Sequence, residues 1–120
     1  SKFNNLHFEQ CLDFEQIILR SGTQINYQIT KTAMAANRSV NIRAEIDSYE
    51  AMCLLVNAGM GIGVLPYQST RTFHIPNTHF IHLKDSWAQR KLLLAVRKKK
   101  ELSASAKRLL DFLQSDNNHT

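Results

Sequence analysis

Arg20-Ser21-Gly22-Thr23 sets a guanidinium, two hydroxyls and a glycine in one short polar run between two apolar patterns. Where such a run follows a buried strand and opens a helix, the first backbone N–H groups of that helix favour an anion. The same residues also make an ordinary capped strand-to-helix loop with a surface arginine, and both readings stand at this point. A second stretch, Val56-Asn57-Ala58-Gly59-Met60-Gly61-Ile62-Gly63-Val64-Leu65-Pro66, places three glycines in five positions. Glycine permits positive φ at a helix C-terminus and lets other backbone approach closely. The turn either presents main-chain N–H groups to a ligand or is a helix cap followed by two packing glycines; the residue types favour the cap. It is not a dinucleotide fingerprint, which needs a strand before the glycines, a helix after them and a last glycine three residues on.

The other reactive groups do not assemble into a site. His79 and His82 are three apart in a predicted strand and so point to opposite faces; a shared metal is not expected, and the cysteines lack zinc spacing. Ser21, Ser48 and Ser69 have no neighbouring His–acid arrangement that would make one a nucleophile. Glu45, Asp47 and Glu50 are close in sequence, but helix capping accounts for two of them. The expectation is a protein that is not an enzyme, with no cofactor and no metal.

The totals fit that picture. A chain of 120 residues suggests one domain, or one lobe of a larger one. Its 43% hydrophobic and 21% charged residues are ordinary for a globular protein. No apolar run approaches the roughly 20 residues of a membrane helix, so no membrane partner is expected. No basic-then-apolar leader opens the chain, and Ser1 is expected to mark a processed or cloned boundary. Cys11 and Cys53 are far apart among apolar or amphipathic residues, a poor disulfide framework, and read as buried thiols of a cytoplasmic protein. Much of the net charge of +5 lies in Arg97-Lys98-Lys99-Lys100. A basic run can hold phosphate, but in a strand-to-helix loop the solvated reading is favoured over direct nucleic-acid binding.

Hydrophobic periodicity then supplies the elements that must position these groups. Leu6, Phe8, Leu12 and Phe14 make a short strand or a lead-in turn. Residues 16–19 are a β-branched strand. Ile25, Ile29, Ala33 and Ala36 form one helical face, which Asn37 and Arg38 end. Residues 40–46 alternate as a strand with one wetter face, near a sheet edge. Asp47 and Glu50 have the spacing of a capping box and open the next helix, whose buried stripe is Met52, Cys53, Leu55 and Val56. Residues 62–65 are a strand buried on both faces, and 67–73 a polar segment that could form a short helix. Residues 75–78 carry turn chemistry. Residues 80–83 form a short strand, and 92–96 a continuous apolar, central one. Leu102, Ala106, Leu109, Leu110 and Leu113 define a last helix with Ser103 as its N-cap, before a frayed tail.

Strands alternating with helices predict an α/β fold with a mostly parallel sheet flanked by helices. Such sheets bind ligands outside the carboxyl ends of their strands. Residues 20–23 and Asp47-Ser48 occupy such ends. The glycine turn enters a strand from a helix, so it belongs to the opposite edge unless its strand runs antiparallel.

Taken together, Asp47-Ser48-Tyr49-Glu50, the helix and glycine turn through Pro66, Leu83, the run from Arg90 to Arg97, Leu102-Ser103, Ala106 and Phe112-Leu113 resemble the LysR-type bacterial transcriptional regulators, with Gln16-Ile17-Ile18-Leu19 matching the family's short upstream strand. The resemblance spans roughly residues 6 to 114. It implies the second lobe of a type 2 periplasmic-binding-protein-like effector domain, plus the closing strand and helix. Residues 1–120 are then a partial effector-binding domain, with the DNA-binding winged helix-turn-helix and most of the first lobe absent. It implies a homo-oligomer, a small-molecule effector in the cleft between lobes, and contact with DNA only through the missing N-terminal domain. By the same resemblance, the cleft is lined by Leu19, Arg20, Ser21 and Gly22 after the first strand, and by Gly61 and Ile62 of the glycine turn. An arginine there suits a carboxylate or other anionic effector. The alternative is a lobe of a solute-binding protein of similar architecture.

Overall fold

The structure is a computed structural model that describes residues 6–20, 23–72, 75–89 and 91–97. The expected last helix, Ser21, Gly22 and Lys98 to Lys100 lie outside the described residues. In chain order the elements are a 3-10 turn (Phe8–Cys11), β1 (Gln16–Leu19), α1 (Gln24–Ala35), β2 (Ile42–Ile46), α2 (Tyr49–Asn57), β3 (Gly63–Pro66), a second 3-10 turn (Tyr67–Arg71), β4 (Thr78–His82) and β5 (Leu92–Arg97).

The helices begin and end for local reasons. Thr23 caps α1, its Oγ1 accepting from the Asn26 N–H at 3.0 Å. Asn37 closes it at φ 59°, with the Arg38 N–H returning to the Ala33 carbonyl. This is the left-handed helix ending that Asn tolerates and Gly favours. Gly59, at φ 84°, closes α2 the same way, with the Met60 N–H on the Leu55 carbonyl. The start of α2 differs from the expected capping box. Ser48, not Asp47, is the N-cap, its Oγ accepting from the Ala51 N–H at 3.1 Å. Asp47 lies one residue too early and turns to Arg20 instead.

The expected mostly parallel sheet is corrected to a mixed one. β1 and β2 pair in parallel, whereas β5 sits between β3 and β4 and is antiparallel to both. Among the described residues no crossover helix stands between β4 and β5, and neighbours joined by a short link pair antiparallel. The two sheets meet at one parallel bridge between Gln16 and Ile62, where the Ile17 N–H reaches the Ile62 carbonyl and the Ile62 N–H reaches the Glu15 carbonyl. A second bridge ties Leu6 to Leu83. β2 starts two residues later than the alternation suggested, and it is the outer strand of its pair, as expected.

Alternate residues of β3 and β5 feed two cores, as the two-residue repeat of a strand requires. Leu65, Leu93 and Ala95 join Ile17 and the Met52, Cys53 and Val56 stripe of α2. Val64, Leu94 and Val96 join Ile29 and Ala33 of α1 and the lead-in residues Leu6, Phe8, Leu12 and Phe14. β5 is therefore central, and residues 62–65 are buried throughout, as their unbroken apolar pattern implied.

Candidate functional site

β1 and β2 run the same way, so their carboxyl ends share one edge, and α1 starts there. The Leu19 carbonyl accepts from Asn26 Nδ2 at 2.9 Å, which fixes the β1–α1 connection. Arg20 follows. Its N–H donates to the Ile46 carbonyl, its Nε lies 2.9 Å from Asp47 Oδ1, and its Nη2 reaches the Glu45 carbonyl. The hydrogen bond from Asp47, and then its charge, hold the guanidinium protonated beyond its ordinary range. The arginine proposed from sequence as an anion binder thus already has an internal carboxylate. Both partners are well exposed.

The same edge carries the carboxyl end of β3, the start of β5 and the turns that join them to their neighbours. A cavity of about 420 Å3 opens there between Gln24, Ile25 and Gln28 of α1, Pro66, Leu92, Lys91 and the Trp87-Ala88-Gln89 turn. A second, of about 350 Å3, shares Pro66, Lys91 and Leu92 with it and is lined in addition by Tyr67 and Gln68. Both volumes suit a small molecule.

Gly61 and Ile62 lie elsewhere. Because Ile62 bridges Gln16 in parallel, they sit at the amino end of β1, roughly 13 Å of strand from Arg20 at about 3.3 Å per residue. The Ile62 N–H and carbonyl are both engaged with the β1 segment, and Gly61 is held so close that a Cβ would stand 2.7 Å from the Glu15 carbonyl oxygen. The structure thus brings Leu19 and Arg20 together at the carboxyl edge and does not bring Gly61 and Ile62 to it. Ser21 and Gly22 lie outside the described residues.

Sequence reasoning missed Pro66, Tyr67, Trp87 and Lys91. For Pro66 and Tyr67 the signal was present: they close a buried strand, and ligands gather outside carboxyl ends. Trp87 and Lys91 gave none, since only the antiparallel return of β5 carries them to that edge. Among the described residues, no three His, Cys, Asp or Glu side chains are placed to hold a metal. Cys11 and Cys53 are free and buried, and burial pushes both thiols up, Cys53 to about 11. No helix among the described residues is long and apolar enough to cross a membrane.

The fold has solved counterparts. The effector binding domain of QuiR in complex with shikimate aligns at TM-score 0.59 and 19% identity, over 98% of this chain and 56% of that one. The regulatory domain of Synechocystis PCC6803 CcmR in complex with 2-PG gives 0.56 and 21%, over 98% and 57%. The BenM effector binding domain with its effector benzoate gives 0.54 and 20%, over 95% and 51%. The chain thus spans little more than half the length of each. The comparison with curated proteins gives no match. The model of the LysR substrate binding domain matches residues 3–117, nearly the whole chain. The chain belongs to the LysR substrate binding domain family.

Proposed function

We propose that this chain is the effector-sensing part of a LysR-type transcriptional regulator. A small molecule seated at the carboxyl edge of β1 and β3 shifts the population of domain conformations and, through it, DNA binding by a domain outside this chain. Such a shift requires only that the ligand prefer one conformation over another. The observation that carries the reading is the pair of cavities sharing Pro66, Lys91 and Leu92 at the edge where α1 begins, in a chain of this family. Leu19 and Arg20 form the adjoining rim, and Ser21 and Gly22 are kept as proposed contacts on the family resemblance alone. Gly61 and Ile62 support the rim from behind by fixing β1 rather than by touching the ligand.

The role is one of binding, not turnover. The neighbours named with shikimate, benzoate and 2-PG are effector-binding or regulatory domains, and the same role is proposed here with the effector unspecified. The assembly is proposed to be a homo-oligomer in the cytoplasm. A solute-binding lobe of similar shape is the competing reading, and no feature of this edge favours it over the family match.

The test is a thermal-shift screen of the full-length protein against small metabolites, followed by gel-shift assays on its own upstream DNA. Selective stabilisation by one compound, with a changed DNA complex in its presence, is the expected result. A full-length protein that no compound stabilises, or whose DNA complex no stabilising compound alters, would falsify the proposal.

A further inference from the structure

The geometry points to Lys91, rather than Arg20, as the residue that receives an anionic group of the ligand, and to a small carboxylate with an apolar body as the ligand's class. This rests on the reading of the carboxyl edge as the effector site and adds to it a charge and its place.

The first support is the ion-pair inventory. Arg20 is taken by Asp47, Arg38 by Asp13 and Arg43 by Glu15. Lys91 is exposed, and among the described residues it has no acidic partner. An anion arriving at Arg20 must displace a carboxylate already hydrogen-bonded there. An anion arriving at Lys91 displaces only water.

The second support is position. Lys91 lines both cavities. Its backbone is fixed on each side, the Lys91 N–H donating to the Ala88 carbonyl and the Tyr67 N–H donating to the Lys91 carbonyl, each at 2.7 Å. The stem of the side chain is therefore held, while the ammonium can turn to either space. An ammonium is a compact cation with three donors and suits a monovalent oxyanion.

The third support is the rest of the lining. Pro66, Leu92 and Trp87 give an apolar floor for a hydrocarbon or ring. Gln24 and Gln28, one helical turn apart at the start of α1, offer amides to neutral oxygens on the ligand. The amino end of the helix adds a favourable field for negative charge.

The experiment is a 15N-resolved NMR titration of the full-length protein. The probes are benzoate and cyclohexanecarboxylate, each against its primary amide, in wild type, Lys91→Met and Arg20→Met. The carboxylates are expected to move the resonances of Lys91, Leu92 and the Gln24 and Gln28 side-chain amides. Lys91→Met should weaken them roughly tenfold, the scale of one charge-assisted hydrogen bond. Arg20→Met, at the rim and already paired with Asp47, should weaken them clearly less than Lys91→Met does. Equal binding by Lys91→Met, loss in Arg20→Met alone, or preference for the amides overturns the assignment but leaves the effector reading standing. If neither the carboxylates nor the amides shift any resonance, and the metabolite screen is also blank, both fall.

Discussion

Arg20 and Asp47 meet at 2.9 Å across the carboxyl ends of β1 and β2. The contact draws Asp47 away from the helix cap and Arg20 away from free solution. It also fixes which charge on this edge is satisfied from within the protein. Since the side chains are 61% and 80% exposed, water and salt screen the pair heavily. Arg20→Met and Asp47→Asn are therefore expected to leave the unfolding midpoint at physiological salt within experimental error. A clear drop in midpoint for both, absent in high salt, would show that the pair holds β1 to β2.

Ser48 carries the start of α2. Its Oγ satisfies the Ala51 N–H, one of the donors that a helix start leaves without a partner. Ser48→Ala should cost about 1 kcal/mol in urea unfolding. Asp47→Ala, in the position the spacing favoured as cap, should cost clearly less, because no α2 backbone N–H depends on it. Equal losses would place the cap on both residues.

The two thiols give the protein an alkaline limit. Burial raises the Cys53 thiol from its ordinary 9.0 to about 11 and the Cys11 thiol higher still, with Asp85 adding to burial at Cys11. An acid whose folded pKa is raised holds its proton longer in the native state than in the unfolded chain. The unfolded chain then binds fewer protons, and stability falls with rising pH. The contribution is complete below pH 9 and is lost as pH rises towards 11 and beyond. Urea midpoints are expected to be flat from pH 7 to about 8.5 as far as these groups act, then to fall, and Cys53→Ala should make the fall shallower. A thiol reagent at neutral pH should label both cysteines only as fast as the protein unfolds. Rapid labelling of the native protein would contradict their burial.

The sequence showed the elements better than their partners. Apolar periodicity located β1, α1, α2, β3 and β5 because each buries one stripe or a whole run in the two cores. It placed β5 centrally for the same reason. It could not show that β5 runs against β3 and β4, since an unbroken apolar run has no direction. The site suffered from this most. Leu19 and Arg20 were legible as a carboxyl end following a buried strand. Lys91 was an unremarked cation ahead of a strand, and it reaches the edge only through that antiparallel return. The Ser48 cap lay one residue from the expected Asp47, because Ser and Asp both cap helices and only the backbone path decides which side chain faces the free N–H groups.

The glycine turn separates conformational demand from crowding, and its three residues should respond differently to alanine. At Gly59, φ is +84° and an added Cβ would lie 2.6 Å from Arg97 Nη1. That atom ends a flexible side chain and can move aside. The expected loss is that of a left-handed non-glycine residue, about 1–2 kcal/mol. At Gly63 no positive φ is required, but the Cβ would meet Met52 Sδ at 2.6 Å and the Ile17 carbonyl oxygen at 3.2 Å. Methionine adapts while the strand backbone does not, so a loss of about 1–3 kcal/mol from overpacking is expected. At Gly61 both demands coincide: φ is +156°, and the Cβ would stand 2.7 Å from the Glu15 carbonyl oxygen. That oxygen accepts the Ile62 N–H that joins the two sheets. It cannot retreat without breaking the junction. Gly61→Ala should therefore be the most damaging of the three, by about 3 kcal/mol or more, and should lower ligand affinity as well by loosening β1 beneath Leu19 and Arg20. Urea unfolding of the three variants gives the order. If Gly61→Ala proved as mild as Gly59→Ala, the bridge between Gln16 and Ile62 would not be what holds the sheets together.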